Sequence, residues 1–551
     1  MSTRVQNFLS TRTTQWPWWA GAALALTALA CLLAWVASGF QDLASLWPFL
    51  AVLLAGAGIL VAGWLVLSKE GFPGWLSGVL VAAALLRVAA GVAWYVALPQ
   101  NGYNSEAELN GYVMADAYER DQAAWDLAKS GSPLWKAFTG YRKADQYGGI
   151  LFLSAAVYRF AGGDTHQPLQ MVILTAAFSS LAVLFTWAFC KRAWSTQVAN
   201  LAAIGIALYP EAVLMGSSQT REAFTITLAA AAFYGLARFT QKKDRSGLWW
   251  VLGALLLNLA FSPPFTALLF GMLLLTAAFK TKAFTRGRIL HQRRFWLALG
   301  VFLMLVLAGM WLTLSRLPHQ EISNPVALVR WWLLKSAEWQ SYITLHASGM
   351  IQKVFHSTPD WMHSPLLIAY GVVQPFLPAA IMDLRAAPVW SAISIWRSLG
   401  WAILLPFLIY APLRALRTQN GGQGFALGLS LAIWASILIA SFRGGGDAWD
   451  NPRYRAMFAS LQIALVAWVW SEQRRASDPW PRRALISAGW VMLWFLPWYL
   501  RRRTPFEWPV IDVFQTLGLG LASAVLFILW DWTRTAPRQP EEQDEAGLDC
   551  L

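Results

Sequence analysis

Charge and cysteine are both scarce in this chain. Only 13% of its 551 residues are Asp, Glu, Lys or Arg, against 57% hydrophobic, and the mean hydropathy is +0.44. So little polar surface cannot enclose one soluble core of this size, which excludes an ordinary globular enzyme and leaves a polytopic membrane protein. Of the three cysteines, Cys31 and Cys190 lie in apolar runs and Cys550 in a polar tail, so neither a disulfide framework nor a zinc knuckle is implied. Histidine is also sparse. His319, His346, His356 and His363 share one stretch, but their spacing fits no zinc pattern, and Pro359 interrupts any helix joining His356 to Asp360. Low-complexity repeats and duplicated halves are absent, and the second absence counts against a two-fold-repeat transporter. Basic residues outnumber acidic ones by 43 to 29, yet they are spread over short connections and not gathered on one face. Topology and anionic lipid account for them, and nucleic acid is not an expected partner.

What the chain has in abundance is apolar runs of about twenty residues, the length that crosses the roughly 30 Å hydrocarbon layer at 1.5 Å per residue. Runs at 18–40, 47–67, 76–98, 168–190, 196–214, 222–240, 248–261, 265–279, 299–315, 392–411, 424–442, 456–471, 484–500 and 511–533 predict about fourteen helices, because lipid cannot hydrogen-bond an exposed backbone. The expected fold is all-α and polytopic, and the expected location is the plasma membrane. Arg4 and Arg12 precede the first run; Lys242, Lys243 and Arg245 follow the sixth. A carboxylate-free connection carries Lys280, Lys282, Arg286, Arg288, Arg293 and Arg294. All of these belong to the cytoplasmic side, with both termini inside, so the stretch after the third run faces outward. Arg501, Arg502 and Arg503 strain this scheme. The first run is too long for a signal peptide and reads as a retained helix.

The chain divides into a helix pair (1–75), a central module (76–314) with an outward loop (98–167), an outer stretch (315–385), a second membrane module (386–534) and a polar tail (535–551). Within 315–385, residues 326–345 with Trp331, Trp332 and Trp339 read as a helix lying on the outer leaflet, and 365–381, broken by Pro375 and Pro378, as a re-entrant or surface segment. Most of the 34 tryptophans belong to interfacial belts; Trp125 and Trp449 stand beside polar motifs.

The outward loop carries carboxylates, amides and rings at the membrane edge. Its motif Asp116-Ala-Tyr-Glu-Arg-Asp-Gln-Ala-Ala-Trp-Asp-Leu-Ala-Lys-Ser-Gly131 predicts a helix over Ala115–Lys129, with Asp116, Glu119, Ala123 and Leu127 along one docking face. Asp116 admits two readings. It caps the helix, with Glu119 completing a capping box, or it is a carboxylate tuned by desolvation to take a proton. Tyr147-Gly-Gly follows, preceded by Gln146, and both are candidates to line a sugar site or, for Tyr147, to anchor at the interface. Farther on come Leu208-Tyr-Pro210, then Ser217-Ser-Gln-Thr-Arg-Glu222 at the start of a run. Last is Gly444-Gly-Gly-Asp-Ala-Trp-Asp-Asn-Pro-Arg-Tyr-Arg455. Arg221 and Glu222 either meet a substrate or satisfy a helix end and each other. Arg453 and Arg455, flanking Tyr454 and joined by Arg443, either grip a phosphate or anchor a helix among headgroups.

The order of these pieces resembles the GT-C superfamily of membrane glycosyltransferases, in particular the bacterial relatives of the protein mannosyltransferases. Residues 76–239 carry most of the resemblance and 365–471 a looser part. Two runs precede the one that introduces the loop here, whereas the family usually places the loop after its first run, and its paired acidic dipeptide is absent. The resemblance implies transfer of a sugar from a polyprenyl-phosphate carrier to an acceptor glycan, lipid or protein at the outer face. It implies Asp116, with Glu119 beside it, as general base, and Arg221, Glu222, Arg443, Arg453, Tyr454, Arg455, Tyr147 and Gln146 as substrate-binding. A divalent metal remains open, with no ligand set indicated. The rival readings are a transporter or flippase of a lipid-linked glycan, and a non-catalytic relative that binds the carrier.

Overall fold

The computed structural model describes residues 16–141, 144–242, 244–280, 358–382, 386–417, 422–444, 452–476, 478–497 and 511–535, with isolated positions 300, 304, 327, 352, 356 and 509. Most of these residues are helical, and no strand occurs among them. In chain order the helices are α1 (Trp16–Ala37), α2 (Leu46–Leu67), α3 (Trp75–Asn101), α4 (Glu106–Leu109), α5 (Ala115–Lys129), α6 (Gly149–Phe160), α7 (Leu169–Ala193), α8 (Thr196–Leu208), α9 (Pro210–Gly216) and α10 (Arg221–Lys242). They continue with α11 (Ser246–Phe261), α12 (Pro263–Lys280), α13 (Asp360–Val373), α14 (Leu377–Met382), α15 (Pro388–Arg417), α16 (Gln423–Gly444), α17 (Arg453–Ala456), α18 (Ala459–Ala476), α19 (Trp480–Trp494) and α20 (Val513–Thr535).

Nine of the described helices are long and apolar enough to cross a membrane, and α8 with α9 makes a tenth, bent by 55°. The expected count of about fourteen also drew on 299–315, which apart from 300 and 304 lies outside the described residues, and on runs that form α11 and α19, only 16 and 15 residues long. It drew too on α18, which ends in Glu472, Arg474 and Arg475. The outer-leaflet helix expected at 326–345, apart from 327, and His319, His346 and the tail at 537–551 also lie outside them. The segment read as re-entrant is α13, then a break at 374–376, then α14, with Gly371 of α13 packed on Ser441 of α16.

Two helices form the axis. The apolar window of α7 is 89% buried and that of α10 83%, against 22% in α1, α2 and α20, whose apolar sides are left to lipid. Close packing uses small residues: a Cβ on Gly235 of α10 would stand 2.6 Å from the Gly247 carbonyl of α11, and one on Gly247 2.5 Å from that of Gly235.

The bend between α8 and α9 follows from Pro210. Lacking an N–H, it leaves the Ile206 carbonyl without its helical donor. Arg87, from the middle of α3 and 1% exposed, supplies the donors. Its Nη2 donates to Ile206 O at 3.2 Å and its Nη1 to Ala207 O at 3.4 Å and Ala83 O at 3.0 Å. Gly216 of α9 leaves room for the arginine stem, since a Cβ there would meet Arg87 Cδ at 2.6 Å. A guanidinium against carbonyls at a helix C-terminus is also favoured by the helix dipole. Arg87→Leu should therefore destabilise the bundle by about 2 kcal/mol for the stranded carbonyls. The thermal midpoint in detergent reads this, and an unchanged midpoint would remove Arg87 from the account.

The loop at 98–167 lies at one end of this bundle. It is pinned to α15 by Trp390, whose Nε1 donates to Glu108 Oε1, while the other Glu108 oxygen accepts from the Tyr103 and Ser105 N–H groups at 2.8 and 3.0 Å. Helix α5 forms over the expected residues, but the buried face is Ala117, Arg120, Asp121, Ala124, Leu127 and Ala128. This corrects the face expected from Asp116, Glu119, Ala123 and Leu127: α5 docks on its small residues at spacings of three and four, and Glu119 is exposed.

Candidate active site

Asp116 is the second residue of α5 and is not its cap; the N-cap is Met114, without a side-chain hydrogen bond. The capping box is thus corrected, because the Asp116 carboxylate is turned to cations. One turn along, Arg120 Nη2 donates to Asp116 Oδ2 at 3.1 Å. From α17, Arg453 Nη1 lies 3.2 Å from both Asp116 oxygens, a contact spanning 337 residues of chain. Arg221, first residue of α10, exerts its charge on both Asp116 and Arg453. It lies 5.3 Å over the Tyr147 ring, and its Nε, 3.7 Å from Glu222 Oε1, has no hydrogen-bond partner.

These cations are held from behind. Arg120 Nε is 3.9 Å from Asp145 Oδ2, and its Nη1 donates to the Gln219 carbonyl at 3.4 Å. Asp145 is fixed by the N–H groups of Tyr147 and Leu151, each at 3.3 Å, at the turn into α6. Gly148 makes that turn at φ +80°, where a Cβ would also strike the Ala137 carbonyl at 2.7 Å. The Arg120 and Arg453 side chains are 6% and 11% exposed, whereas Asp116 is 39% exposed, so the carboxylate is the part of the cluster that faces outward.

Burial pushes the Asp116 carboxyl up, but the guanidiniums of Arg453, Arg120 and Arg221 together outweigh it and hold the group down at about 2. This reverses the expectation of a carboxyl tuned by desolvation: the low-dielectric rim acts on a group already surrounded by positive charge. A carboxyl depressed below its ordinary 3.8 adds stability that is complete above about pH 4 and is lost as pH falls through 2. Asp116→Asn should flatten the fall in thermal midpoint between pH 4 and 2, and an identical acid profile in the variant would contradict the ion pairs.

Helix geometry separates the other two arginines. Residues two apart on a helix project to nearly opposite sides. Arg455 is accordingly buried away from Asp116; it lies 3.7 Å over the Trp401 ring and donates from Nη1 to the Gly371 carbonyl at 3.0 Å. Beside it, Arg397 Nε pairs with Glu211 at 3.0 Å. The expected joint grip of Arg453 and Arg455 on one phosphate is thus corrected. Tyr454 lies under Arg453, 5.4 Å from ring to guanidinium. Gln146 is exposed, as is Glu119, and no hydrogen bond or ion pair ties either to Asp116 among the described residues. The Arg443 side chain and Trp449 fall outside them.

Sequence reasoning missed Arg120 and Asp145; the i, i+4 spacing of Asp116 and Arg120 was the available signal. It also missed Asp121, a fully buried carboxylate on the opposite side of α5. Asp121 accepts from Tyr112 OH at 2.6 Å, Tyr158 OH at 2.7 Å and His166 Nε2 at 2.9 Å. Burial and then the Asp121 charge push both tyrosine hydroxyls up. Trp125 stacks on His166 at 5.1 Å and closes this cluster, which fixes the helix that presents Asp116.

The donor set suits an anion better than a metal ion. Both Asp116 oxygens are taken by guanidinium, and no three His, Cys, Asp or Glu side chains converge among the described residues.

An all-helical bundle of membrane-crossing length, with carboxylate and guanidiniums gathered at one end, defines a polytopic membrane protein with a charged interfacial site. Residues 151–311 match the family model of dolichyl-phosphate-mannose-protein mannosyltransferases, a segment that holds Arg221 and Glu222 but neither Asp116 nor Arg453. A search of curated proteins gives no match. Solved structures similar to the chain include the archaeal oligosaccharyltransferase AglB from Archaeoglobus fulgidus in complex with an inhibitory peptide and a dolichol-phosphate. It is 14% identical with a TM-score of 0.38, over 85% of this chain and 57% of that one. The apo form of the Archaeoglobus fulgidus oligosaccharyltransferase is 14% identical with a TM-score of 0.40, over 86% and 59%. The chain therefore spans less than two thirds of the length of these proteins. The resemblance to the GT-C superfamily read from the motifs stands with the family match.

Proposed function

We propose that the protein is a glycosyltransferase that moves a hexose or pentose from a polyprenyl monophosphate carrier to an acceptor hydroxyl at the outer face of the plasma membrane. The observation that carries this reading is the meeting of Asp116 with Arg453 at 3.2 Å, a carboxylate and a guanidinium brought together from 337 residues apart. Supporting it, Lys191 and Arg192 end α7 and Lys280 ends α12, so these basic residues lie away from the loop.

Asp116 takes the acceptor O–H proton as the acceptor oxygen bonds to the anomeric carbon from the side opposite the phosphate, inverting it. The carbon–oxygen bond to phosphate breaks and its electron pair stays on the phosphate, which leaves as polyprenyl phosphate. The carrier phosphate passes from one negative charge to two, so Arg453 and Arg221 bind it more strongly as the bond breaks, which is what accelerates a reaction. Tyr147 supplies a ring beside the sugar and Glu222 a carboxylate to orient the acceptor.

The test is the purified protein in lipid nanodiscs with a polyprenyl-phosphate-linked hexose and candidate acceptors, following free carrier phosphate. Stoichiometric release with a new glycosidic product supports the reading. Movement of labelled lipid across vesicles with no product would establish the transporter instead.

A further inference from the structure

The contacts of Asp116 raise a question that sugar transfer alone does not answer, because a carboxylate whose two oxygens are shared with guanidiniums is a weak base for a hydroxyl proton. We infer that the Asp116 carboxylate is a stand-in for the carrier phosphate, holding the guanidiniums of Arg453 and Arg120 until a donor phosphate takes Arg453 from it and frees it to act as base. This rests on the reading of the site as a glycosyltransferase centre.

Geometry supports the exchange at each member. Arg453 bridges the two Asp116 oxygens from one nitrogen, Nη1, at 3.2 and 3.2 Å, and not through the two-nitrogen fork that guanidinium prefers for a permanent partner. Arg221 stands in the same field with its Nε unpartnered. Asp116 is the exposed member, so the seat opens where the lipid headgroup would arrive. Arg120 keeps Asp145 and the Gln219 carbonyl and has no need to move.

The charge accounting closes. Before transfer, Asp116 carries one negative charge and the donor phosphodiester one. Afterwards the acceptor proton sits on Asp116 and the departing phosphate monoester carries two. The same cations face the same total throughout, so charge passes from carboxylate to phosphate without reorganising the cluster. The order of binding follows: donor precedes deprotonation of acceptor.

Binding of polyprenyl monophosphate alone, measured in nanodiscs by a fluorescent-carrier titration, tests the exchange. Removing the competitor with Asp116→Asn should tighten carrier binding about tenfold, the equivalent of one charge-assisted bond. Unchanged or weaker binding would overturn the inference. On the wild-type protein, the Asp116 carboxyl resonance from 13C-labelled aspartate should shift on carrier addition, and a static resonance at saturation would also overturn it. If neither protein binds carrier, the glycosyltransferase reading itself fails, an outcome distinct from carrier binding that Asp116 does not oppose.

Discussion

Asp116→Asn should lower sugar transfer by about 10²–10⁴-fold, the usual contribution of a positioned general base. The amide keeps the volume of the carboxylate but cannot accept the acceptor proton. The loss should fall on kcat, since the variant is expected to hold carrier at least as well as the native protein. The pH dependence separates the two states of the site. In the free enzyme Asp116 is held down at about 2, so kcat/KM should stay flat from neutral pH to about 4. Once donor phosphate takes Arg453, the carboxyl loses its largest lowering charge and rises, so the acidic limb of kcat should lie at higher pH than that of kcat/KM. Two profiles with the same acidic limb would mean that the donor leaves the Asp116 ion pairs intact.

Arg453→Gln should lower kcat/KM by about 10²–10³-fold, the range for removal of a group that stabilises charge as it develops. In the proposed reaction Arg453 serves both Asp116 and the leaving phosphate. Arg453→Lys should recover little, because an ammonium lacks the planar two-nitrogen fork that matches the oxygens of a phosphate. Arg455→Gln provides the contrast. Arg455 faces Trp401 and the Gly371 carbonyl, so its loss should appear as lowered thermal stability with a smaller effect on turnover per folded molecule. Equal kinetic losses at both positions would argue that α17 acts as a unit and that Arg453 has no particular role.

Much of this was legible in the chain. Apolar runs of membrane length gave the helical class, and the loop at 98–167 stood out as the place of the candidate site, because both depend on local composition. Helix α5 formed over the residues its pattern predicted, but its rotation was misjudged. The pattern search followed Leu127 and counted the carboxylates as part of the face, whereas Ala117, Ala124 and Ala128 allow closer docking and leave Glu119 in water. Arg453 and Arg455 look alike in sequence; only their helical phase, set by Pro452 at the N-cap of α17, sends one to Asp116 and the other into the bundle. Asp145 and Asp121 were invisible as partners because their contacts depend on how α5, α6 and the turn at 161–168 meet, which no local period records. The direction of the Asp116 shift was misread for the same reason, since its cations come from three separate helices.

The most direct measurement is a cryo-EM structure with polyprenyl phosphate bound. The account predicts phosphate density within about 3 Å of an Arg453 Nη atom, with the Asp116 carboxylate no longer bridged by it. Phosphate bound at the opposite, basic end of the bundle, with Asp116 and Arg453 still paired, would contradict it.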